Sequence, residues 1–471
     1  MKDMPSPLQI AVVGHTNAGK TSLLRTLTRR VDFGDVSEQP GTTRHVESVD
    51  LRVEGRSAVR FFDTPGLEDA VTLLAHVMAL EAGTRPERIR RFLQGPEAHG
   101  AFEQEAKVLR KMLEVDAAFL VIDAREPVLP KFSAEVELLN SCARPLLPAL
   151  NFVRDPASRE AQWREMLSAA GLHAVVLFDA AAPFTGAERE LYQDLGTLLP
   201  AHRAALREVI AFLESEFEAR RRAGCTLIAQ QIVEAAAMRR SATADEFENP
   251  VARQARIDAL RRAVSERAQR GVDELLALYG FRQGDATEAP LPQLAGRWAM
   301  DLFNPEALKQ AGVRLGKGAA VGAAIGVAAD LAVGGISLGA GAALGGAVGG
   351  ALAQGWGPLG RQLANKLRGV HELTVEDGVL FVLADWQLTL LRALEQRGHA
   401  ALQRIDHAAA DGPAGHASKN QALARIVRAA QPARSHPEWE DSRRGDGPER
   451  RALVSAVAQL LQQAVTERAK P

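Results

Sequence analysis

Short apolar runs alternate with amphipathic stretches over the first 180 residues. Residues 8–15 (LQIAVVGH) form an apolar run that closes on a glycine and a histidine, which predicts a buried strand. Lys20 to Thr28 predicts a helix. Residues 46–53 (VESVDLRV) alternate apolar and polar, as a half-buried edge strand does, and 58–63 (AVRFFD) predict a third strand. Helices are expected over 67–82 and 102–114. Between them, residues 83–100 are rich in Arg, Gly and Pro and read as a surface insertion. A strand at 117–123, a helix near 132–142, a strand at 146–151, a helix at 157–170 and a strand at 173–178 complete the series. Strands alternating with helices predict an α/β domain with a mostly parallel, doubly wound sheet.

The pattern changes after about residue 185. Long helical stretches follow, at 186–222, 251–279 and 376–397, with few strand signals. Residues 316–354 are dominated by Gly and Ala. Residues 431–450 are polar with Pro and Gly and predict a flexible linker, and an amphipathic helix is expected over 450–468. The expected domains are therefore 1–185 (α/β), 186–312 (helical), 313–430 (a glycine-rich helical hairpin and helical domain) and 431–471 (linker and last helix).

Composition changes this picture in three places. At 471 residues the chain exceeds what one core usually fills. A formal net charge of -1 argues against bulk nucleic-acid binding, which needs a basic excess. Two cysteines, Cys142 and Cys225, cannot make a disulfide framework and read as small buried hydrophobes. The stretch from Met1 to Pro7 lacks an apolar core, so no signal peptide is expected and the cytoplasm is the expected compartment.

The sharpest chemical signal is Gly14-His15-Thr16-Asn17-Ala18-Gly19-Lys20-Thr21, which matches GxxxxGK[ST] between a strand and a helix. Glycines let the backbone turn tightly, so that amide N–H groups and the helix N-terminus face a phosphate. Lys20 is placed to reach the β- and γ-phosphates, and Thr21 to ligate Mg²⁺; Ser22 completes the binding segment. Asp63-Thr64-Pro65-Gly66 ends the third strand. There Asp63 can hold Mg²⁺ through water, and the Gly66 amide can contact the γ-phosphate. Thr43, in Pro40-Gly41-Thr42-Thr43-Arg44, can join the Mg²⁺ shell only when that phosphate is present, which makes the segment a switch.

In these motifs the chain resembles the Era-like branch of the translation-factor-related GTPases, which read GxxNxGK[ST], a TTR-type switch I and DTPG. The likeness covers about residues 8–178. The phrases AVVGHTNAGKTSLLRTLTR, PGTTRHVE and FDTPGLEDA make the whole layout similar to bacterial GTPase-like proteins with a C-terminal DUF3482-type domain. The resemblance implies GTP and GDP as ligands, with switch I at about 32–45 and switch II at about 64–82. Guanine is normally read in such proteins by [NT]KxD after the fifth strand. Here Asn151 is in place, Phe152 stands where the Lys belongs, and Asp155 comes one residue late. Asp155 is either a base reader delivered by a bulge or a helix N-terminal acid before Pro156. The usual SA[KL] segment is replaced by Asp179-Ala180.

Leu67 follows Gly66, where Ras-like enzymes carry a water-orienting Gln, and a leucine cannot orient water. The resemblance then implies a K⁺ ion bound by Asn17, and slow turnover that depends on K⁺, a partner or a homodimer. Glu68 is an alternative water-orienting group.

In the second half, Gly318, Gly322 and Gly326, and Gly341, Gly345 and Gly349, are spaced by four. On a helix that spacing makes a groove for close backbone approach. Asp330 divides the segment into two apolar arms, with Gly334-Gly335 as the turn of a hairpin. Each Gly costs helix stability, roughly 1 kcal/mol against Ala, so the series needs a packing reason. Two readings stand: a hairpin that meets a membrane surface, a membrane protein or an oligomer, or a packed hairpin in a helical bundle. The first would make the protein peripheral at the inner membrane. Arg220-Arg221-Arg222 and Arg261-Arg262 read as solvated helix faces, with lipid headgroups as the alternative. The expected function is a slow, Mg²⁺-dependent GTPase switch coupled to a helical region. The alternatives are a nucleotide-binding scaffold with little hydrolysis and a membrane-inserting effector gated by nucleotide.

Overall fold

Alternation of side chains along buried strands sends one set to each face of a sheet, and both faces of this one are covered. In the computed structural model, residues 6–29, 46–81, 83–180, 183, 186–280, 327–329, 370–395, 413–441 and 446–466 are described. The first unit comprises the described residues up to Phe217, and the second those from Glu218 onward.

The first unit is built on a six-stranded sheet. Its strands are β1 (Leu8–Val13), β2 (Glu47–Val53), β3 (Arg56–Asp63), β4 (Ala117–Asp123), β5 (Leu146–Asn151) and β6 (Val176–Leu177), in the order β2-β3-β1-β4-β5-β6. β1, β3, β4, β5 and β6 run parallel, and β2 is the antiparallel edge. Glu54 and Gly55 join β2 to β3, both at positive φ (49° and 79°), as a tight hairpin turn requires. Ile10 and Val12 of β1 enter one core while Ala11 and Val13 enter the other. The first core is closed by α1 (Lys20–Thr28), the second by α2 (Ala70–Ala79), α3 (Arg85–Gln94), α4 (Glu103–Glu114), α5 (Pro130–Asn140) and α6 (Glu160–Ala169).

The expected surface insertion at 83–100 is instead α3 followed by a 3₁₀ turn at Pro96–His99. Thr84 and Glu87 form a reciprocal capping box, and Pro86 sits in the first turn, where its missing N–H costs nothing. Ile89, Phe92 and Ala98 are buried. The arginines that suggested a loop occupy the outer face of an amphipathic helix.

The expected boundary near 185 falls inside the first unit. Leu191, Tyr192 and Leu195 of α7 (Ala187–Leu198), and Leu206, Val209 and Leu213 of α8 (Arg203–Ala237), join the core on the α1 face. The continuous helix expected over 186–222 is broken by a 3₁₀ turn at Pro200–His202.

The second unit is largely helical. It holds the remainder of α8 with α9 (Ala244–Glu248), α10 (Pro250–Leu278), α11 (Asp377–Glu395), α12 (Pro413–Ala430) and α13 (Pro448–Thr466). It also contains a three-stranded sheet that the pattern did not announce. β7 (Arg239–Thr243) and β8 (Val327–Ala329) flank β9 (Val370–Val375), with both pairings antiparallel. Of the glycine-rich hairpin expected over 313–360, only Val327–Ala329 is described. It is a strand bonded to Leu373–Val375, because pairing with β9 overrides the helical reading there. The rest of that expectation, including the glycine spacing and Asp330, lies outside the described residues.

The flexible linker expected at 431–450 is corrected over 431–441 and 446–450, residues 442–445 lying outside the described residues. Gln431–Ser435 and Pro437–Glu440 are 3₁₀ turns, with Trp439 buried and stacked on His436 at 3.9 Å. Arg434 donates to the Val375 carbonyl and to Asp377, and Glu440 accepts from Arg240. The polar residues that suggested a linker are engaged in ion pairs. In the same way Arg221 is largely buried and pairs with Glu395, rather than facing solvent or lipid. Both cysteines are buried, and burial pushes each thiol up to about 12, which leaves them unreactive. Among the described residues no helix is long and apolar enough to cross a membrane.

Candidate functional site

Strand order reverses at β1, whose neighbours are β3 and β4, and ligands bind such sheets in the crevice beyond the carboxyl ends of the strands at the reversal. The chain leaves β1 through residues 14–19 and enters α1 at Lys20. Gly14 has φ 137° and is buried against β4. A side chain there would begin 2.3 Å from the Val121 carbonyl oxygen, so only glycine fits. Asn17 takes the left-handed region at φ 64°, which Asn tolerates better than most residues.

The Lys20 ammonium folds back over this loop and donates to the carbonyls of His15 (2.9 Å) and Gly14 (3.2 Å). Burial pulls its pKa below the usual lysine range, against the opposing pull of Asp63 and Glu135. Val12 and Asp63 are register partners across β1 and β3, which brings the first turn of α1 against the end of β3. There the Thr21 hydroxyl donates to Asp63 Oδ2 at 2.6 Å. Asp63 is buried, its Oδ1 has no hydrogen-bond partner among the described residues, and burial raises its pKa. A buried carboxylate oxygen without a partner, a hydroxyl and a buried ammonium form a hard-oxygen donor set beside a cation. That fits Mg²⁺ and a phosphate chain.

Gly66 lies in the loop that leaves β3 after Asp63 and meets the phosphate loop. A side chain on it would begin 2.2 Å from Thr16 Oγ1 and 2.7 Å from the Thr16 backbone, so a glycine is required for the two segments to touch. His15 and Leu67 continue the contact as an isolated parallel bridge, and Leu67 is wholly buried. Glu68 offers its backbone N–H to Glu105. Thr43 and switch I lie outside the described residues.

Asn151, at the end of β5, is buried and ties three segments together. Its Nδ2 donates to the Ala18 carbonyl (3.0 Å), and its Oδ1 accepts from the N–H groups of Phe152 (3.0 Å) and Ala180 (2.9 Å). Asp155 Oδ1 accepts from the Ala157 N–H at 2.8 Å, a bond within a turn; the helix expected to open there starts only at Glu160, so Asp155 does not cap it.

Glu135, Lys131 and Arg125, none of them part of a motif, also lie here. His15 Nδ1 lies 2.7 Å from Glu135 Oε1, and the Lys131 ammonium donates to His15 Nε2 at 2.9 Å. Glu135 is buried, and burial raises its pKa. An acid within the apolar run of α5 is the signal that could have found it. Arg125, just past β4, pairs with Asp123 and lies over the Phe152 ring; nothing in its local sequence marks it.

A family model described as a domain of unknown function (DUF3482) matches residues 164–462. The chain belongs to this family. A second model, described as 50S ribosome-binding GTPase (MMR_HSR1), matches residues 9–152, and the N-terminal part is a P-loop GTPase domain. The probable GTP-binding protein EngB of Neisseria gonorrhoeae is 31% identical over 147 residues, which are 31% of this chain and 58% of that protein. The tRNA modification GTPase MnmE of Rhizobium meliloti (strain 1021) is 51% identical over 67 residues, 14% of this chain and 15% of that protein. The chain thus spans less than two thirds of either relative. A structure of Era from Aquifex aeolicus bound to GDP and AlF4⁻ matches with a TM-score of 0.30 at 21% identity, covering 41% of this chain and 56% of that one. The DUF3482 protein therefore carries a GTP-binding GTPase domain ahead of its helical region.

Proposed function

We propose that the GTPase domain of this DUF3482 protein hydrolyses GTP slowly and acts as a Mg²⁺-dependent molecular switch for the helical region. The observation that carries this is the convergence of Lys20, Thr21 and Asp63 at the ends of β1 and β3. Lys20 and the amides of residues 14–22 hold the β- and γ-phosphates. Thr21 and Asp63 would hold the metal, and Thr43 would join them in the triphosphate state. Mg²⁺, when bound, offsets the negative charge of the phosphates. The Gly66 amide faces the γ-phosphate, and its loss on hydrolysis releases the segments around Thr43 and Leu67.

Leu67 is the reason for the slow rate. It is aliphatic and wholly buried, so it neither orients nor activates water. Asn17 is the proposed ligand for a K⁺ ion that supplies part of the missing stabilisation, and dimerisation is a second route to it. The same Leu67 favours a second reading, a nucleotide-binding scaffold with little hydrolysis.

The test is phosphate release by the full-length protein with GTP and Mg²⁺, in KCl and in NaCl. Slow release, faster in KCl and lost in Lys20→Ala, is expected. Fast, equal rates in both salts would sink the potassium role. Release no faster than that of Lys20→Ala would leave the scaffold. Membrane association of residues 313–360 is read separately by flotation with liposomes, with and without that segment.

A further inference from the structure

The ends of β4 and β5 carry an arrangement that the phosphate site does not use. Asp123 clamps the Arg125 side chain along one edge, with Nε 2.9 Å from Oδ1 and Nη2 2.7 Å from Oδ2. The Arg125 backbone N–H also donates to Asp123 Oδ1 at 2.9 Å. The guanidinium so held lies over the Phe152 ring, with Cζ 3.8 Å from the centroid.

Phe152 is unusual in its own right. It holds the left-handed region at φ 58°, where a bulky residue is strained, and Asn151 pins its N–H. The ring edge reaches the phosphate loop: its Cε2 lies 3.8 Å from the point where a side chain on Gly19 would begin. A half-buried aromatic ring, backed by a fixed cation and set beside the phosphate cradle, is a stacking surface for a heterocycle.

Asp155, by contrast, is engaged within its own loop. Reading guanine by its edge takes a carboxylate with both oxygens turned to two adjacent N–H groups of the base. Here Oδ1 accepts from Ala157 N–H at 2.8 Å, and Oδ2 faces Arg125 Nη1 at 3.9 Å. The 50S ribosome-binding GTPase match ends at residue 152, where this departure starts.

We propose that the nucleobase is held by stacking on Phe152, with Arg125 as the positioning residue behind the ring, and not by a carboxylate reading its edge. The inference rests on the nucleotide-binding reading above and specifies its base site. Because every base presents a π-face, a stacking site tolerates changes at the base edge. Purine triphosphates then bind with a shallow preference for guanine.

The test is competition of unlabelled GTP, ATP and inorganic tripolyphosphate against a fluorescent GTP analogue, on the full-length protein with Mg²⁺. In the unsubstituted protein GTP is expected to bind no more than about tenfold tighter than ATP, since the edge contributes little. Phe152→Leu keeps a bulky apolar side chain but removes the π-face. It should weaken GTP and ATP alike, by roughly tenfold, and leave tripolyphosphate unchanged. Arg125→Ala should act in the same direction and less strongly.

A GTP preference of about a thousandfold or more, of the size an edge-reading site supports, overturns the proposal. So does an unchanged nucleotide affinity in Phe152→Leu, or a loss shared by tripolyphosphate, which would mean that the loop itself had moved. Failure of the unsubstituted protein to bind any triphosphate, with Lys20→Ala no different, removes the underlying nucleotide reading instead.

Discussion

In the first unit Lys20 and Asp63 are buried within reach of each other's charge, yet Asp63 Oδ1 has no partner among the described residues, and burial disfavours the charged form of both. In the second unit Glu234 is buried between two buried arginines, Arg267 and Arg450, and each of its oxygens accepts from one of them. Glu274 and Asp446 meet those arginines from the rim. Both regions remove charge from water, which is expensive unless it is compensated. The second region pairs each oxygen of its buried carboxylate with a guanidinium, although Arg267 Nη1 and Arg450 Nε have no hydrogen-bond partner among the described residues. The first leaves a carboxylate oxygen open, which is how a site holds free energy for a ligand. A buried carboxylate with an open oxygen is offered to a ligand, and one with both oxygens paired is held by the fold.

Three experiments press on that contrast, in falling order of expected effect. Glu234→Ala would strand Arg267 and Arg450 without their shared carboxylate, at a cost of about 3–5 kcal/mol. Urea unfolding of the second unit would report it, and GTP affinity should not change. A small loss of stability there would mean that water enters that core and the contrast is false.

Lys20→Ala should do the reverse. It removes a desolvated ammonium, so the unfolding midpoint of the first unit should hold steady or rise. GTP affinity should fall by roughly a hundredfold, the worth of two charge-assisted hydrogen bonds at about 1.5 kcal/mol each. Isothermal titration alongside denaturation separates the two effects.

The smallest effect concerns Glu376, before α11. Burial pushes it up to about 7 from 4.5, and Arg434 only partly opposes this. Between those values the folded chain keeps a proton that the unfolded chain has released. Stability of the second unit from this group is therefore present at low pH and declines as pH rises from 4.5 to about 7. Glu376→Gln should flatten the difference between urea midpoints measured at about pH 5 and about pH 8. An unaltered slope would show that Glu376 is not the group responsible.

Elements whose information is local were legible in the chain. The helix over Lys20–Thr28 has the residues foreseen for it, because Leu23, Leu24 and Leu27 make an apolar stripe directly after a glycine-rich turn. β4 and β5 are continuous apolar runs flanked by polar residues, and their limits agree as well. Elements whose information is non-local were not legible. Arg239 of β7 pairs with Thr374 of β9, and neither strand has a pattern strong enough to stand without the other. α3 and the turns at 431–440 were misread because Arg, Pro and Gly suggested solvent, whereas ion pairs and caps absorb those residues.

The candidate site divides in the same way. Gly14, Lys20, Thr21, Asp63 and Gly66 could be named from order and spacing, since a phosphate cradle is a short-range backbone device. Asn151 could be placed by its strand end. The grip of Asp123 on Arg125, the stack on Phe152, the pairing of His15 with Glu135 and the engagement of Asp155 could not be.

The amino-acid order alone thus determined a strand–loop–helix phosphate site, a doubly wound sheet around it and a largely helical second half. Period-2 and period-3.6 patterning and glycine-dependent turns are all encoded within a few residues. Only the tertiary structure decided which charges are matched and which are left open. Hydrogen-bond satisfaction and desolvation depend on neighbours far apart in the chain: Glu234 and Arg450 are separated by 216 positions, His15 and Glu135 by 120.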